Sequence, residues 1–204
     1  MNNRTWLALG DSYTIGEAVP ENERYPEQAA VLLRQMGISM RAPQIIARTG
    51  WTSGDLISHS NHLENPAGEG FDIVSLLTGV NNQYQGKSIS RYDQEFSLLV
   101  DRCIKAADLR PAHVIVLSIP DYSKTAFGRS RPDPAAIAEE IDAFNVVNRS
   151  VAMTKSVHYL DITEESRKAG LDPELVAADG LHYSGKAYAV WADLLAKLIA
   201  RILG

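Results

Sequence analysis

The residues whose types could carry out chemistry follow three short apolar runs. Ser12 lies after the first run, Gly50 after the second and Asn81 after the third. Acyl transfer requires a hydroxyl nucleophile beside donors aimed at the oxygen that becomes negative. A glycine lets the backbone approach a substrate oxygen without an intervening side chain, and an asparagine amide supplies a further N–H donor. The three residues therefore predict acyl-transfer chemistry, provided that the three runs are neighbouring strands.

A serine hydroxyl is a poor nucleophile unless a base takes its proton. Only one histidine, His182, has an acid at short range in a predicted loop, namely Asp179. A carboxylate at this spacing can bind one imidazole nitrogen, hold the tautomer and stabilise the imidazolium. Asp161 is a rival acid, but its spacing from His182 gives no local reason for pairing. The other histidines are His59, His62, His113 and His158.

Each of these residues also has a purely structural interpretation. Asp11 and Ser12 are typical of a strand-to-helix turn in which both side chains cap backbone N–H groups. Gly50 fits an ordinary turn, and Asn81 fits a helix cap or an Asx-turn. The other histidines are interpreted as solvated or strand-edge residues, and a zinc site built from them lacks a third ligand.

Five apolar runs alternate with longer amphipathic segments, which predicts an α/β fold with a parallel sheet. The predicted strands are Thr5–Leu9, Gln44–Arg48, Phe71–Leu77, His113–Ile119 and Val157–Leu160. The predicted helices are Glu23–Met36, Ser53–Leu63, Ser90–Leu109, one that starts at Asp133–Pro134 with Asp133 as its cap, and Gly185–Leu203 with Ser184 as its cap. The stretch Pro120–Pro134 is predicted to be a loop.

These elements predict a three-layer α/β/α domain that spans residues 1–204, with a five-stranded parallel sheet. The flavodoxin-like strand order 2-1-3-4-5 is the expected topology, and ligands of such sheets bind beyond the carboxyl ends of the strands. In this order the first three strands are adjacent. The polar segments that follow them then share one rim of the sheet.

Composition excludes several classes of protein. The chain has 204 residues, a net charge of −5 and one cysteine, Cys103. A phosphate-backbone binder is usually basic, so we expect no nucleic-acid partner. No apolar run is long enough for a membrane span, and the first residues do not form a signal peptide, so we expect a cytoplasmic protein unless a leader was removed. The single cysteine excludes a disulfide framework.

Four short motifs in order resemble the blocks of the SGNH/GDSL hydrolase family (GDSL-like lipases and esterases). They are Gly10–Asp11–Ser12 with Tyr13 where leucine is common, Gly50, Gly79–Val80–Asn81, and Asp179 with His182. The sequence departs from the third block at Asn82, where the family has an aspartate. This departure bears on the support around Asn81 more than on the reaction.

The resemblance implies the SGNH hydrolase fold, Ser12 as nucleophile, His182 as base and Asp179 as its partner. It also implies an oxyanion hole formed by the Ser12 N–H, the Gly50 N–H and the Asn81 amide, with no metal or organic cofactor. The predicted partner is a small-molecule ester, either a short-chain acyl ester or an acetylated sugar. Trp51, Gln83 and Tyr84 flank the predicted rim and are candidate substrate-binding residues, as is the loop 121–128.

Other functions remain open from the sequence. A lysophospholipase, a thioesterase or an acyltransferase would use the same site. In a different class, a non-enzymatic flavodoxin-like module would use the segment 10–16 (Gly-Asp-Ser-Tyr-Thr-Ile-Gly) to bind a phosphate or a flavin. The sequence does not define the oligomeric state.

Overall fold

The computed structural model describes residues 3–60, 63 and 70–204. These residues contain a five-stranded, all-parallel sheet in the order β2-β1-β3-β4-β5, which confirms the predicted topology. The strands are β1 (Trp6–Gly10), β2 (Gln44–Ala47), β3 (Ile73–Leu77), β4 (Val114–Leu117) and β5 (His158–Leu160). The three central strands are buried along their whole length, as expected for a sheet with helices on both sides.

Nine α-helices lie in the described part of the chain. They are α1 (Ser12–Ile15), α2 (Tyr25–Gln35), α3 (Ser53–His59), α4 (Val80–Tyr84), α5 (Ile89–Ala106), α6 (Ala126–Arg129), α7 (Pro134–Thr154), α8 (Thr163–Gly170) and α9 (Gly185–Leu203). Helix α2 packs against α9, and α5 packs against both α3 and α7. None of the helices in the described ranges is long and apolar enough to cross a bilayer.

Of the two helix caps predicted from the sequence, Asp133 and Ser184, one forms as expected. The Asp133 side chain accepts a hydrogen bond from Ala136 N at 2.9 Å, and Pro134 opens α7, as predicted. Ser184 precedes α9 as predicted, but its hydroxyl donates to the Glu174 carbonyl at 2.9 Å instead of capping a helix N–H. The reason is that the loop before α9 folds back and brings this carbonyl within reach.

Several sequence boundaries were wrong. The predicted helix Ser53–Leu63 ends at His59, after a strong start at which Thr52 and Asp55 form a capping box. The predicted loop Pro120–Pro134 contains a 3₁₀ turn, Tyr122–Lys124, and helix α6. The prediction also missed three short helices, α1, α4 and α8, because segments of four to eight residues carry too little periodicity.

The register of the sheet brings three loops together at its carboxyl edge. Gly10 at the end of β1 pairs with Ala47 of β2 on one side and with Leu77 of β3 on the other. The segments that follow these strands contain Ser12, Gly50 and Asn81. The parallel sheet therefore delivers the three predicted residues to one rim.

Candidate active site

Ser12 is the first residue of the short helix α1, immediately beyond β1. Asp11 caps this helix by accepting a hydrogen bond from Tyr13 N at 3.1 Å. Gly10 is required at the turn, since a Cβ atom there would lie 2.1 Å from Thr14 Oγ1 and 2.6 Å from the Leu77 carbonyl. This tight connection holds the Ser12 side chain at the rim of the sheet, where the residue is 5% exposed.

A continuous hydrogen-bonded chain links Ser12, His182 and Asp179. His182 Nε2 lies 2.9 Å from Ser12 Oγ, and His182 Nδ1 lies 2.6 Å from Asp179 Oδ2. An ionised carboxylate only accepts hydrogen bonds, so Nδ1 carries the proton and Nε2 of the neutral ring is free to accept one. The imidazole is thus arranged to receive the hydroxyl proton of Ser12.

The loop before α9 fixes the carboxylate of Asp179. Burial raises the pKa of Asp179, but the hydrogen bond with the His182 ring and those from Leu181 N and His182 N outweigh it and lower the pKa below its usual 3.8. Both backbone bonds measure 2.9 Å and end on Oδ1, which leaves Oδ2 for the ring. The carboxylate therefore stays ionised beside the histidine.

Besides the Ser12 N–H, two loop groups at the same rim can donate a hydrogen bond to a ligand oxygen. Gly50 adopts the left-handed conformation (φ +82°), and a Cβ atom there would meet no atom within 4 Å, so its backbone is open to a ligand. Asn81 Nδ2 donates to the Trp51 carbonyl at 3.0 Å, which places the amide next to the Gly50 loop. Within residues 3–60, 63 and 70–204, the N–H groups of Ser12 and Gly50 have no hydrogen-bond acceptor.

A cleft of about 290 Å³ opens beside Ser12 and His182. Its lining is mostly apolar and is formed by Ser12, Tyr13, Thr49, Gly50, Val80, Asn81, Tyr84, Tyr122, Phe127, Leu181 and His182. The cleft thus contains Ser12, His182, Gly50 and Asn81 together. It also has aromatic and aliphatic walls able to hold a small apolar group.

The three candidate substrate-binding residues have different positions. Tyr84 lines the cleft and is half exposed. Trp51 stacks on His59 with 4.4 Å between ring centroids. Gln83 is buried and lies between two partners, donating to Glu140 at 2.7 Å and accepting from the Tyr122 hydroxyl at 3.0 Å. Gln83 therefore holds the side chain of Tyr122, which lines the cleft, and does not line the cleft itself.

The other candidate residues lie away from Ser12. Asp161 binds Arg149 at 3.0 Å and caps Thr163 N, while His113 binds the Asp72 carbonyl. His158 lies in β5, and His62 is outside the described residues. In the part of the chain that the structure describes, no three His, Cys, Asp or Glu side chains are grouped so that they could hold a metal ion.

Asp11 is a fully buried carboxyl next to Ser12 in the chain. Burial raises its pKa from 3.8 to about 7, against the opposing effect of the hydrogen bond from Tyr13 N. Among the described residues, its second oxygen, Oδ2, has no hydrogen-bond partner. This carboxyl therefore changes its charge near neutral pH.

Sequence reasoning missed part of the site. Tyr13, noted only for replacing a leucine, lies against the His182 ring, and Thr49, Val80 and Leu181 line the cleft. The available signal was adjacency, since each of these residues neighbours a predicted site residue in the chain. Adjacency alone does not show which way a side chain points.

The sequence matches a known protein family. The family model described as "GDSL-like Lipase/Acylhydrolase family" matches residues 8–190. Comparison with curated protein sequences gave no significant match.

Solved structures with the same fold include TesA, with a TM-score of 0.76 and 18% identity over 98% of this chain and 99% of that chain. The psychrotrophic esterase EstA from Pseudoalteromonas sp., in a structure inhibited by monoethylphosphonate, has a TM-score of 0.73 and 18% identity over 99% of each chain. Axe2, an acetylxylan esterase from Geobacillus stearothermophilus, has a TM-score of 0.72 and 17% identity over 98% of this chain and 96% of that chain.

Proposed function

Because the chain belongs to the GDSL-like lipase/acylhydrolase family, and is thus an ester-hydrolysing enzyme, we propose that it cleaves carboxylic esters through an acyl intermediate on Ser12. The observation that carries this proposal is the hydrogen-bonded chain from Ser12 through His182 to Asp179. A hydroxyl, an imidazole and a carboxylate in this sequence of contacts form the arrangement that activates a serine nucleophile.

In the first half of the reaction, Ser12 Oγ attacks the ester carbonyl carbon. Its proton passes to His182 Nε2 over the 2.9 Å contact, and the electron pair of the carbonyl bond moves to the oxygen. When this tetrahedral species collapses, the bond to the alcohol oxygen breaks. The leaving oxygen takes the proton from His182, and the acyl group remains on Ser12.

In the second half, water replaces the alcohol. His182 takes one proton from water while the oxygen of water attacks the acyl carbon. Collapse of the second tetrahedral species breaks the bond to Ser12 Oγ, which regains the proton from His182, and the carboxylic acid leaves. Asp179 stabilises the imidazolium in both halves through its 2.6 Å contact with Nδ1.

The negative oxygen of both tetrahedral species would be held by the Ser12 N–H, the Gly50 N–H and the Asn81 amide. Support comes from the unoccupied backbone donors of Ser12 and Gly50 and from the placement of Asn81 against the Trp51 carbonyl. Donors that are already in place when charge develops are a large source of transition-state stabilisation.

We propose a short-chain acyl ester or an acetylated sugar as the substrate. The cleft volume of about 290 Å³ lies just below the usual range for small-molecule sites, which is roughly 300–1,000 Å³. Its apolar walls, Val80, Phe127 and Leu181, suit a small acyl group, and Thr49 at the lining is a polar group that could face an alcohol. Axe2, an acetylxylan esterase, provides a precedent in this fold for an acetylated sugar.

The test combines covalent labelling with a rate panel. A fluorophosphonate probe should attach to Ser12, as located by peptide mass analysis, and Ser12→Ala should abolish both labelling and turnover. Ser90→Ala, at an exposed serine on α5, is the matched control. Labelling at another residue, or turnover by Ser12→Ala at the wild-type rate, contradicts the mechanism.

Nitrophenyl esters of two to twelve carbons, with acetylated sugars alongside, define the substrate. We expect the highest kcat/KM for the shortest acyl chains. An optimum at eight carbons or more would contradict the short-chain proposal and favour a lysophospholipase or thioesterase. Product analysis with added sugar or glycerol separates hydrolysis from acyl transfer.

A further inference from the structure

Three helices meet at the buried Ser53, outside the group of reacting residues. Ser53 opens α3 and is fully buried, as is Asn82 on α4. Ser53 N donates to Asn82 Oδ1 at 2.9 Å, and Asn82 Nδ2 donates to Ser53 Oγ at 2.7 Å. Ser53 Oγ donates in turn to Glu95 Oε2 on α5 at 2.5 Å.

The proton positions in this network follow from elementary chemistry. A backbone N–H only donates, so the oxygen of the Asn82 amide must face Ser53 N. The NH₂ of Asn82 then faces Ser53 Oγ, which must accept. The Ser53 hydroxyl proton is therefore left for Glu95, and every contact has one donor and one acceptor.

The network is continuous with both loop donors of the proposed oxyanion hole. Asn81 and Asn82 are adjacent, and each side chain binds the segment that follows Gly50. Asn81 binds the Trp51 carbonyl, and Asn82 binds both polar groups of Ser53. The position of Gly50 relative to Asn81 is thus set by two sets of contacts to the segment that follows Gly50, one from Asn81 and one from Asn82.

We propose that Ser53, Asn82 and Glu95 are positioning residues that align Gly50 and Asn81 for oxyanion binding, with Asn82 and Glu95 acting as a matched amide–carboxylate pair. This inference rests on the proposed function of the site. It also gives a physical reason for the asparagine at position 82, where the family block has an aspartate. The carboxylate beside Ser53 is then Glu95 of α5 and not a residue at position 82 of α4.

A carboxylate at position 82 conflicts with Glu95. It would accept from both Ser53 N and Ser53 Oγ, so Glu95 would lose its only donor inside the network. Two carboxylates would then flank one buried hydroxyl, and like charges at this distance favour the retention of one proton between them. While this proton is retained, the hydrogen bonds around Ser53 can keep their geometry. Once it is lost at higher pH, the two carboxylates repel each other.

The helices that form the network carry further charged or titratable side chains: Asp55 and His59 on α3, Tyr84 on α4, and Arg91, Tyr92, Asp93, Asp101, Arg102, Cys103 and Lys105 on α5. Lys87 lies between α4 and α5, and Glu140 on α7 binds Gln83 of α4. Arg91 donates to Glu95 Oε1 at 2.6 Å, which leaves Oε2 for Ser53. Apart from Asp93, which changes only in the control, these side chains are unchanged in the variants below, so differences between these variants report on positions 82 and 95.

The experiment measures kcat and KM of Asn82→Asp as ratios to wild type between pH 6 and pH 9. We expect the kcat ratio to fall about tenfold as pH rises, with KM little changed. An effect of this size is typical of the coupling between two residues in one hydrogen-bond network, here positions 82 and 95. Adding Glu95→Gln should remove this fall, because the glutamine amide donates to Ser53 Oγ while the hydroxyl donates to the new carboxylate. Adding Asp93→Asn, at an exposed carboxylate on the same helix, should leave the fall unchanged.

Two results overturn the proposal: an Asn82→Asp ratio that is flat with pH, or a double variant with Glu95→Gln that is no better than Asn82→Asp alone. If Asn82→Asp does not fold, Ser53→Ala replaces it, with an expected several-fold loss of kcat, unchanged KM and a pH-independent ratio. An unchanged kcat in Ser53→Ala also overturns the proposal. Failure of the proposed function is distinct, since wild type would then show no Ser12-dependent turnover at all.

Discussion

The ring of Tyr13 lies edge-on to the ring of His182, with 5.4 Å between the centroids and 62° between the planes. Tyr13 is fully buried and also packs near Tyr183 and Trp191. The residue after the proposed nucleophile therefore supports the proposed base. This contact joins α1 to the loop before α9 within the site itself.

Loss of the Tyr13 ring should loosen the imidazole. We expect Tyr13→Leu to lower kcat by about three- to tenfold, which corresponds to the loss of one aromatic pair. Tyr13→Phe keeps the ring and should retain the wild-type kcat. Steady-state kinetics on nitrophenyl acetate checks both variants, and equal losses in the two would show that the ring contact is not what matters.

Asp179→Asn should lower kcat by about 10²–10⁴, because an amide no longer favours the Nδ1-protonated tautomer or stabilises the imidazolium. Asp161→Asn is the matched control, since this carboxylate binds Arg149 and has no contact with His182. A larger kcat loss in Asp161→Asn than in Asp179→Asn would reverse the assignment of the acid.

Asn81→Ala should lower kcat by about 10²–10³, the usual effect of one lost oxyanion donor. KM should change little, since the contact strengthens only in the transition state. Thermal melting shows whether the variant is folded at the assay temperature. A folded Asn81→Ala enzyme with undiminished kcat would remove the amide from the proposed oxyanion hole.

Asp11 should make stability depend on pH. Its pKa is raised by burial from 3.8 to about 7, so between these values the folded state binds the proton that the unfolded state has lost. The free energy of unfolding should therefore fall as pH rises from 4 to 7, by up to about 4 kcal/mol, and level off above that range.

Asp11→Asn should remove this slope and make the protein more stable than wild type at pH 8, because the amide oxygen can still cap Tyr13 N. Urea unfolding at several pH values measures the effect. Asp133→Asn, at the exposed N-cap of α7, is the matched control. A wild-type slope that persists in Asp11→Asn would show that other groups cause it.

The amino-acid sequence determined the five strands, the longer helices and the order of the strands in the sheet. Apolar runs of strand length, separated by amphipathic segments, admit few arrangements other than a right-handed parallel sheet, and the order 2-1-3-4-5 followed from that restriction. Ser12, Gly50 and Asn81 could be selected as candidates because each follows the end of a strand, and such ends meet at one edge of a parallel sheet. Asp179 and His182 could be selected as a candidate pair because a separation of three residues in a loop is itself a geometric constraint.

Only the tertiary structure decided how these residues meet. The 2.9 Å contact between Ser12 and His182 spans 170 positions in the chain, and no local pattern specifies it. The same holds for the contacts of Tyr13 with His182 and of Ser53 with Asn82 and Glu95, where different helices approach the same point. Periodicity and spacing describe one element at a time, whereas the direction of a side chain across an interface depends on how all the elements pack.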